Sequence, residues 1–290
     1  LYNDEDACWD HQAYSGANHY FLSYPYGWLS SSDWKNKITC VQEGGNAYGR
    51  GLYRFFESCT NLKTVNIPKL TPGYRTFYGC TSLTKAVINS TTFLEDENYN
   101  YMDAYTFGNC TALKEVVVGS GASIMSHAFD GCSNLNVLNT EEIARVMPYA
   151  FYGCTSLHIE DLSNLGYADA HAFDGGVSVN VTSLAKLTGA GDYAFKDQTV
   201  LIDRFPEQLA STGEYAFYNT GIHFNILDLS QLTEKKKPAL GDYSFCRNGI
   251  TELILLGNGD FNPKAFDVLE KIIISPDTTL SADFTSLPNL

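Results

Sequence analysis

Basic residues are scarce. The chain has 19 Lys and Arg against 33 Asp and Glu, a formal charge of −14. That balance argues against nucleic acid or an anionic membrane surface as partner, since both are bound through cationic patches. Its simplest meaning is solubility. Long apolar runs are missing too: none approaches the ~20 residues a helix needs to span a bilayer. The longest clusters, such as Leu253-Ile254-Leu255-Leu256, suit buried strands. No initiator methionine or secretory signal stands at Leu1, so the chain reads as a mature or trimmed fragment whose targeting segment has been removed. Tryptophan is limited to Trp9, Trp28 and Trp34, all before residue 50.

Catalytic and metal-binding sets are also missing. His127 and His171 stand two residues before a repeated phenylalanine, where Tyr105, Tyr149, Tyr193, Tyr215 and Tyr243 stand elsewhere. They read as members of an aromatic column, two coils and on the order of 10 Å apart, too far to share one metal. Five of the eight cysteines recur at one offset. A line of thiols does not converge on a tetrahedral ion, and buried repeat thiols give no access to a nucleophile. No carboxylates recur as an acid–base pair. No cofactor and no metal are expected.

What is present is a repeat. Phenylalanine returns at Phe56, Phe77, Phe107, Phe129, Phe151, Phe173, Phe195, Phe217, Phe245 and Phe266, and from Phe107 to Phe217 every step is 22 residues. Three residues later come Cys59, Cys80, Cys110, Cys132 and Cys154; six later come Leu62, Leu83, Leu113, Leu135, Leu157, Val179 and Leu201. From Phe173 on, the cysteine column lapses to Gly176, Gln198, Thr220 and Asn248, so the position does not demand a thiol. In the well-formed copies the residue before the Phe is small, as close packing between coils requires. Gly191, Gly213 and Gly241 suit a turn needing positive φ or close backbone approach. After the leucine comes an alternating segment such as Leu62-Lys63-Thr64-Val65-Asn66-Ile67, a short strand with Val65 and Ile67 inward. Two steps are longer, 30 residues from Phe77 to Phe107 and 28 from Phe217 to Phe245. The extra residues, near 91–102 and 234–238, are either binding loops or tolerated lengthenings.

Residues 1–51 do not fit the repeat. Their aromatic residues read as a cap over the open end of the first coil, with an aromatic ligand platform around Trp28 and Trp34 as the alternative. A Cys8–Cys40 disulfide would fit an exported protein.

The segment Leu62 to Pro68, the Gly191-to-Phe195 box and Phe77-Tyr78-Gly79-Cys80-Thr81-Ser82-Leu83 resemble the BspA-like (treponemal-type) leucine-rich repeat family of bacterial surface proteins. That family's unit runs roughly L-x-x-I-x-I-P, then I-G-x-x-A-F-x-x-C. The resemblance covers about four-fifths of the chain; the first 50 residues, the two insertions and the proline lost after most strands depart from it. It implies an exported or cell-surface protein of a host-associated bacterium, often of the Bacteroides group, with adhesion to host matrix proteins and cells. The family brings no catalytic residues.

The expected fold is a repeat solenoid, a leucine-rich-repeat-like right-handed β/α(β) superhelix of stacked short parallel strands with about ten repeats of ~22 residues. Residues 52–290 would form the array and its degenerate C-terminal cap. The expected function is non-enzymatic: a secreted or surface-anchored adhesion protein, monomeric, binding a protein or glycan such as host extracellular matrix, and not nucleic acid. The alternative is a structural spacer presenting another domain. The candidate partner-binding residues are Thr64, Asn66, Lys85, Glu115, Val137 and Asn139 on the open strand face, which also carries Val117, with Trp28 and Trp34 in the cap.

Overall fold

The computed structural model describes residues 8–11, 35–43, 54–69, 71–89, 104–202, 204–222, 224–229, 239–255, 259–274, 280–281, 283–287 and 289–290. Trp28, Trp34 and both insertions lie outside them. The fold is a parallel-strand solenoid of about nine turns with ~22-residue spacing. The chain divides into two compact units: residues 1–143 with 149–157 and 175–177, and residues 144–148 with 158–174 and 178–290.

In the first unit the strands are β1 (Cys8–His11), β2 (Cys40–Glu43), β3 (Thr64–Ile67), β4 (Lys85–Ile88), β5 (Glu115–Val117), β6 (Ala122–Ile124) and β7 (Val137–Leu138). All but β6 join one parallel sheet in the order β1-β2-β3-β4-β5-β7. Alternation decides which side each residue takes: β3 runs exposed, buried, exposed, buried, with Val65 and Ile67 in the core. The β1–β2 register sets Cys8 opposite Cys40. Cys40 is disulfide-bonded, while Cys59, Cys80, Cys110, Cys132, Cys154 and Cys246 are free and buried.

In the second unit the strands are β8 (Ile143–Val146, all but its first residue), β9 (His158–Ile159), β10 (Tyr167–Ala168), β11 (Ser178–Val181), β12 (Gly189–Ala190), β13 (Thr199–Val200), β14 (Ser211–Thr212), β15 (Ile226–Asp228), β16 (Ala239–Leu240), β17 (Glu252–Leu255), β18 (Gly259–Asp260), β19 (Lys271–Ile274) and β20 (Leu280–Ser281). β8, β10, β12, β14 and β16 form one parallel ladder, and β9-β11-β13, β15-β17-β19 and β18-β20 form three more. A coil here carries one strand after its phenylalanine and another before the next phenylalanine.

The core of each unit is a file of stacked phenylalanines. Centroids are 5.4, 5.2, 5.4 and 5.8 Å apart from Phe56 through Phe77, Phe107 and Phe129 to Phe151. In the second unit they are 5.0, 5.2, 5.5 and 5.7 Å apart from Phe173 through Phe195, Phe217 and Phe245 to Phe266. These spacings follow the ~4.8 Å between strands. The two long steps keep the same spacing, Phe77–Phe107 at 5.2 Å and Phe217–Phe245 at 5.5 Å, so each insertion leaves its ladder unbroken. From Phe77 on, the residue before the Phe is small because it is fully enclosed: Thr76, Thr106, Ala128, Ala150, Ala172, Ala194, Ala216, Ser244 and Ala265 are at 0% exposure.

Where a β/α unit would place a helix, the described residues contain no α-helix, only tight turns and short 3₁₀ segments such as Thr140–Glu142. The turn is bracketed by two left-handed residues. Two positions before the Phe, Arg75, Tyr105, His127, Tyr149, Tyr193 and Tyr215 have φ between 43° and 60°; two after it stand Gly79, Asn109, Gly131 and Gly153 at φ 58–75°. A bulky residue with positive φ costs on the order of 1 kcal/mol. The neighbouring coils compensate: the N–H groups of Arg75, Phe77 and Gly79 donate to the carbonyls of Ala104, Thr106 and Gly108 at 2.8 Å each. A regular helix could not direct alternate amides to the next coil in this way.

Gly191, Gly213 and Gly241 are not among the positive-φ residues; they are needed for close approach. A Cβ on Gly241 would fall on the backbone of Gly213, and one on Gly191 on the backbone of Ala170. Gly241→Ala is expected to cost on the order of 1–3 kcal/mol, since backbone must shift to admit the methyl. Urea unfolding checks this against Gly121→Ala, where a Cβ meets nothing within 4 Å and only the φ strain is added.

Candidate functional site

The open face of the first sheet brings the sequence candidates into register. Thr64 pairs with Lys85, Lys85 with Glu115 and Glu115 with Val137, so the four form one row across β3, β4, β5 and β7. A second row runs Asn66, Val87, Val117. Thr64, Asn66, Lys85 and Val137 are exposed, Val137 at 54%. Lys85 Nζ and Glu115 Oε1 are 2.6 Å apart at the centre of the row. Both side chains are solvated, so the pair is worth ~0–1 kcal/mol; its main effect is to fix the order of charge along the face. Asn139 lies off these rows. Its Nδ2 donates to the Val118 carbonyl and its Oδ1 accepts from the Val118 N–H, both at 2.8 Å, so it prolongs the ladder rather than facing a partner.

The aromatic column forms a second surface. In the first unit Tyr105 stacks on His127 at 4.5 Å and His127 on Tyr149 at 5.3 Å. In the second, His171, Tyr193, Tyr215 and Tyr243 follow at 4.8, 5.1 and 4.9 Å. Most of their ring faces cover one another. His127 Nδ1 is 2.9 Å from Asp130 Oδ2, and His171 Nδ1 is 3.1 Å from Asp174 Oδ2, so each imidazole is tied to its own coil. Among the described residues no group of three metal-ligating side chains occurs. A cleft of about 250 Å³ in the second unit is lined by Leu184, Ile202, Phe205 and Pro206, with Arg204 and Glu207 exposed at its rim. Its lining includes the hydroxyls of Thr182 and Ser183 but no histidine or cysteine.

The cysteine column has a role that its spacing alone does not reveal. From Cys80 on, each thiol of the column donates to the phenylalanine carbonyl of the preceding coil: Cys80 to Phe56 at 3.1 Å, Cys110 to Phe77 at 3.0 Å, Cys132 to Phe107 at 3.1 Å and Cys154 to Phe129 at 3.2 Å. Where cysteine lapses, Gln198 Nε2 donates to Phe173 O at 3.2 Å and Asn248 Nδ2 to Phe217 O at 2.6 Å. Gly176 has no side-chain donor and Thr220 Oγ1 donates to Phe217 of its own coil, so a donor to the preceding coil is common at this position but not required. Burial pushes Cys59 and Cys154 up to about 12 and raises Cys110 and Cys132; Cys80 is raised by its hydrogen bond with Cys110 and by burial. Such thiols are protonated and inert.

Glu57 is the most enclosed carboxylate described, at 9% exposure. Burial raises its pKa, but the hydrogen bond from Arg54 and the charges of Arg75 and Arg54 outweigh that and hold it below the usual value. Arg54 Nε donates to Oε2, and Arg75 Nη2 lies 2.7 Å from Oε1. Sequence reasoning passed over this cluster, although arginine replaces the column's aromatic residue in just these two coils.

The model of the BspA type leucine rich repeat region, in six copies, matches residues 53–158, 92–202, 122–251 and 170–274. No curated protein matches the chain. Among solved structures, a leucine-rich repeat protein from Bacteroides ovatus is similar at 17% identity and a TM-score of 0.45, over 87% of this chain and 69% of that one. A leucine rich cell surface protein from Faecalibacterium prausnitzii is similar at 14% identity and a TM-score of 0.33, over 84% and 81%. With its strands, phenylalanine file and turn box repeating through the matched span, the chain belongs to the BspA type leucine-rich repeat family.

Proposed function

We propose that this chain is a non-enzymatic recognition protein, exported and displayed at or released from a bacterial surface, that binds a protein or glycan through the open strand face. The observation that carries this reading is the register of Thr64, Lys85, Glu115 and Val137. It sets a hydroxyl, a cation, an anion and an apolar side chain side by side on a sheet whose other face is the core. Exposed Val137 beside polar neighbours gives the mixed chemistry of a protein-binding patch. Membership of a repeat family and a disulfide-bonded Cys40 both suit an extracellular setting.

Binding of the full chain to a panel of host matrix proteins and glycans tests the reading. The Lys85→Glu, Glu115→Lys double variant keeps the ion pair and reverses its order. It is expected to fold normally and to lose at least tenfold in affinity for the partner the panel yields. An empty panel, or a partner whose affinity ignores this swap together with Thr64→Arg and Val137→Glu, would refute it.

A further inference from the structure

Arg75 shows how this fold holds a guanidinium. Its Cζ lies 3.8 Å over the centre of the Tyr78 ring, and its Nη2 is 2.7 Å from Glu57 Oε1. The acid and the tyrosine occupy one repeat position, the residue after the phenylalanine, in two successive coils: Glu57 follows Phe56 and Tyr78 follows Phe77. The second carboxylate oxygen of Glu57 is taken by Arg54.

The same frame recurs within the first unit without the guanidinium. Asp130 follows Phe129 and Tyr152 follows Phe151, in coils whose phenylalanines stack at 5.8 Å. Asp130 Oδ2 is taken by His127, which stands where Arg54 stands in the earlier frame. Among the described residues Asp130 Oδ1 carries no bond. Tyr149 holds the place of Arg75 and packs edge-on to Tyr152, with centroids 6.2 Å apart at 76°. A side chain at Gly175 would run into the Tyr152 ring, so that ring rests against the glycine. Tyr152 remains 48% exposed. Of the three tyrosines at this repeat position, Tyr78 and Tyr218 lie beneath Arg75 and Arg247; among the described residues no cation lies over Tyr152.

We propose that Asp130 and Tyr152 form a receptor for an arginine side chain of a basic partner segment. A planar guanidinium can lie flat on the ring while its edge bonds the carboxylate, whereas a lysine ammonium is a compact point charge with no flat face to stack and a tighter hydration shell to lose. The formal charge of −14 favours approach of such a segment. Aspartate is one methylene shorter than Glu57, leaving room for a side chain that enters from outside. The inference goes beyond the strand-face reading, since the receptor lies on the turn column and stands or falls separately.

The test is an NMR titration of the full chain, with ring-labelled tyrosine, by acetyl-Gly-Arg-Gly-amide and by its citrulline and lysine counterparts. Tyr152→Phe identifies the reporter signal. The arginine peptide is expected to shift Tyr152 saturably, at least tenfold more tightly than either counterpart. Tyr149→Arg, which rebuilds the Arg75 arrangement at a position already at φ 54°, is expected to abolish the response, and Asp130→Asn to weaken it at least tenfold. Equal binding of citrulline or lysine peptide, or an unchanged response in both variants, overturns the proposal. The Lys85→Glu, Glu115→Lys double variant is expected to bind the arginine peptide normally, which separates failure of this receptor from failure of the strand face.

Discussion

Phe129→Ala is expected to destabilise the protein by about 3–5 kcal/mol, the range for removing a large aromatic side chain from a packed core. Phe129 has no solvent exposure and is stacked between Phe107 at 5.4 Å and Phe151 at 5.8 Å, nearly parallel to both. Truncation empties a rung that neither neighbour can fill, because each is fixed by its own coil's backbone ladder. Repeat arrays are stabilised by contacts between adjacent units, so the loss should be local as well as global. Hydrogen exchange should therefore speed first in the coils of Phe107 and Phe151. Urea denaturation gives the total, and Phe129→Leu, which retains an apolar side chain, should cost less than half as much.

Alkaline pH should unfold the protein through its thiol column. The unfolded thiols titrate near ~8.5, while burial holds Cys59 and Cys154 near about 12 and raises Cys110 and Cys132 as well. Between those values the unfolded chain binds fewer protons than the native one, so stability falls as pH rises. The thiol contribution is fully present below pH ~8.5 and declines across the window up to ~12, by on the order of 1–2 kcal/mol per thiol at pH 10. Urea midpoints from pH 7 to 10.5 check this. Cys110→Ser and Cys132→Ser keep a donor for the phenylalanine carbonyl but do not titrate in this range. Each is expected to flatten the decline of stability with pH. Ellman's reagent at pH 8 should find none of the six free thiols until the protein unfolds.

Much of this was legible from spacing alone. A parallel solenoid gives each repeat position one environment, so the phenylalanine period announces the stacked file, and the alternation in Thr64-Val65-Asn66-Ile67 announces which side is core. The register of Thr64, Lys85 and Glu115 follows from the same offsets. What stayed hidden depends on partners in other coils. Tyr105 and His127 carry positive φ without being glycine, because their strain is offset by bonds to the next coil. Cys110 reads as a small apolar residue until the Phe77 carbonyl appears beside its sulfur. Asn139 reads as an open-face residue by alternation, yet its amide closes on Val118 where the strand pairing ends. The Glu57–Arg75–Tyr78 cluster needed a comparison down two repeat positions at once, which a search for one period does not make.

The most direct test of recognition by the open strand face is hydroxyl-radical footprinting of the full chain, alone and with the partner the binding panel yields. Protection concentrated on Val137, Lys85, Glu115 and their row neighbours, with Ile226 and Ile273 of the second unit unchanged, is the predicted result. Protection confined to other surfaces, with the row as reactive as in the free protein, would contradict the account.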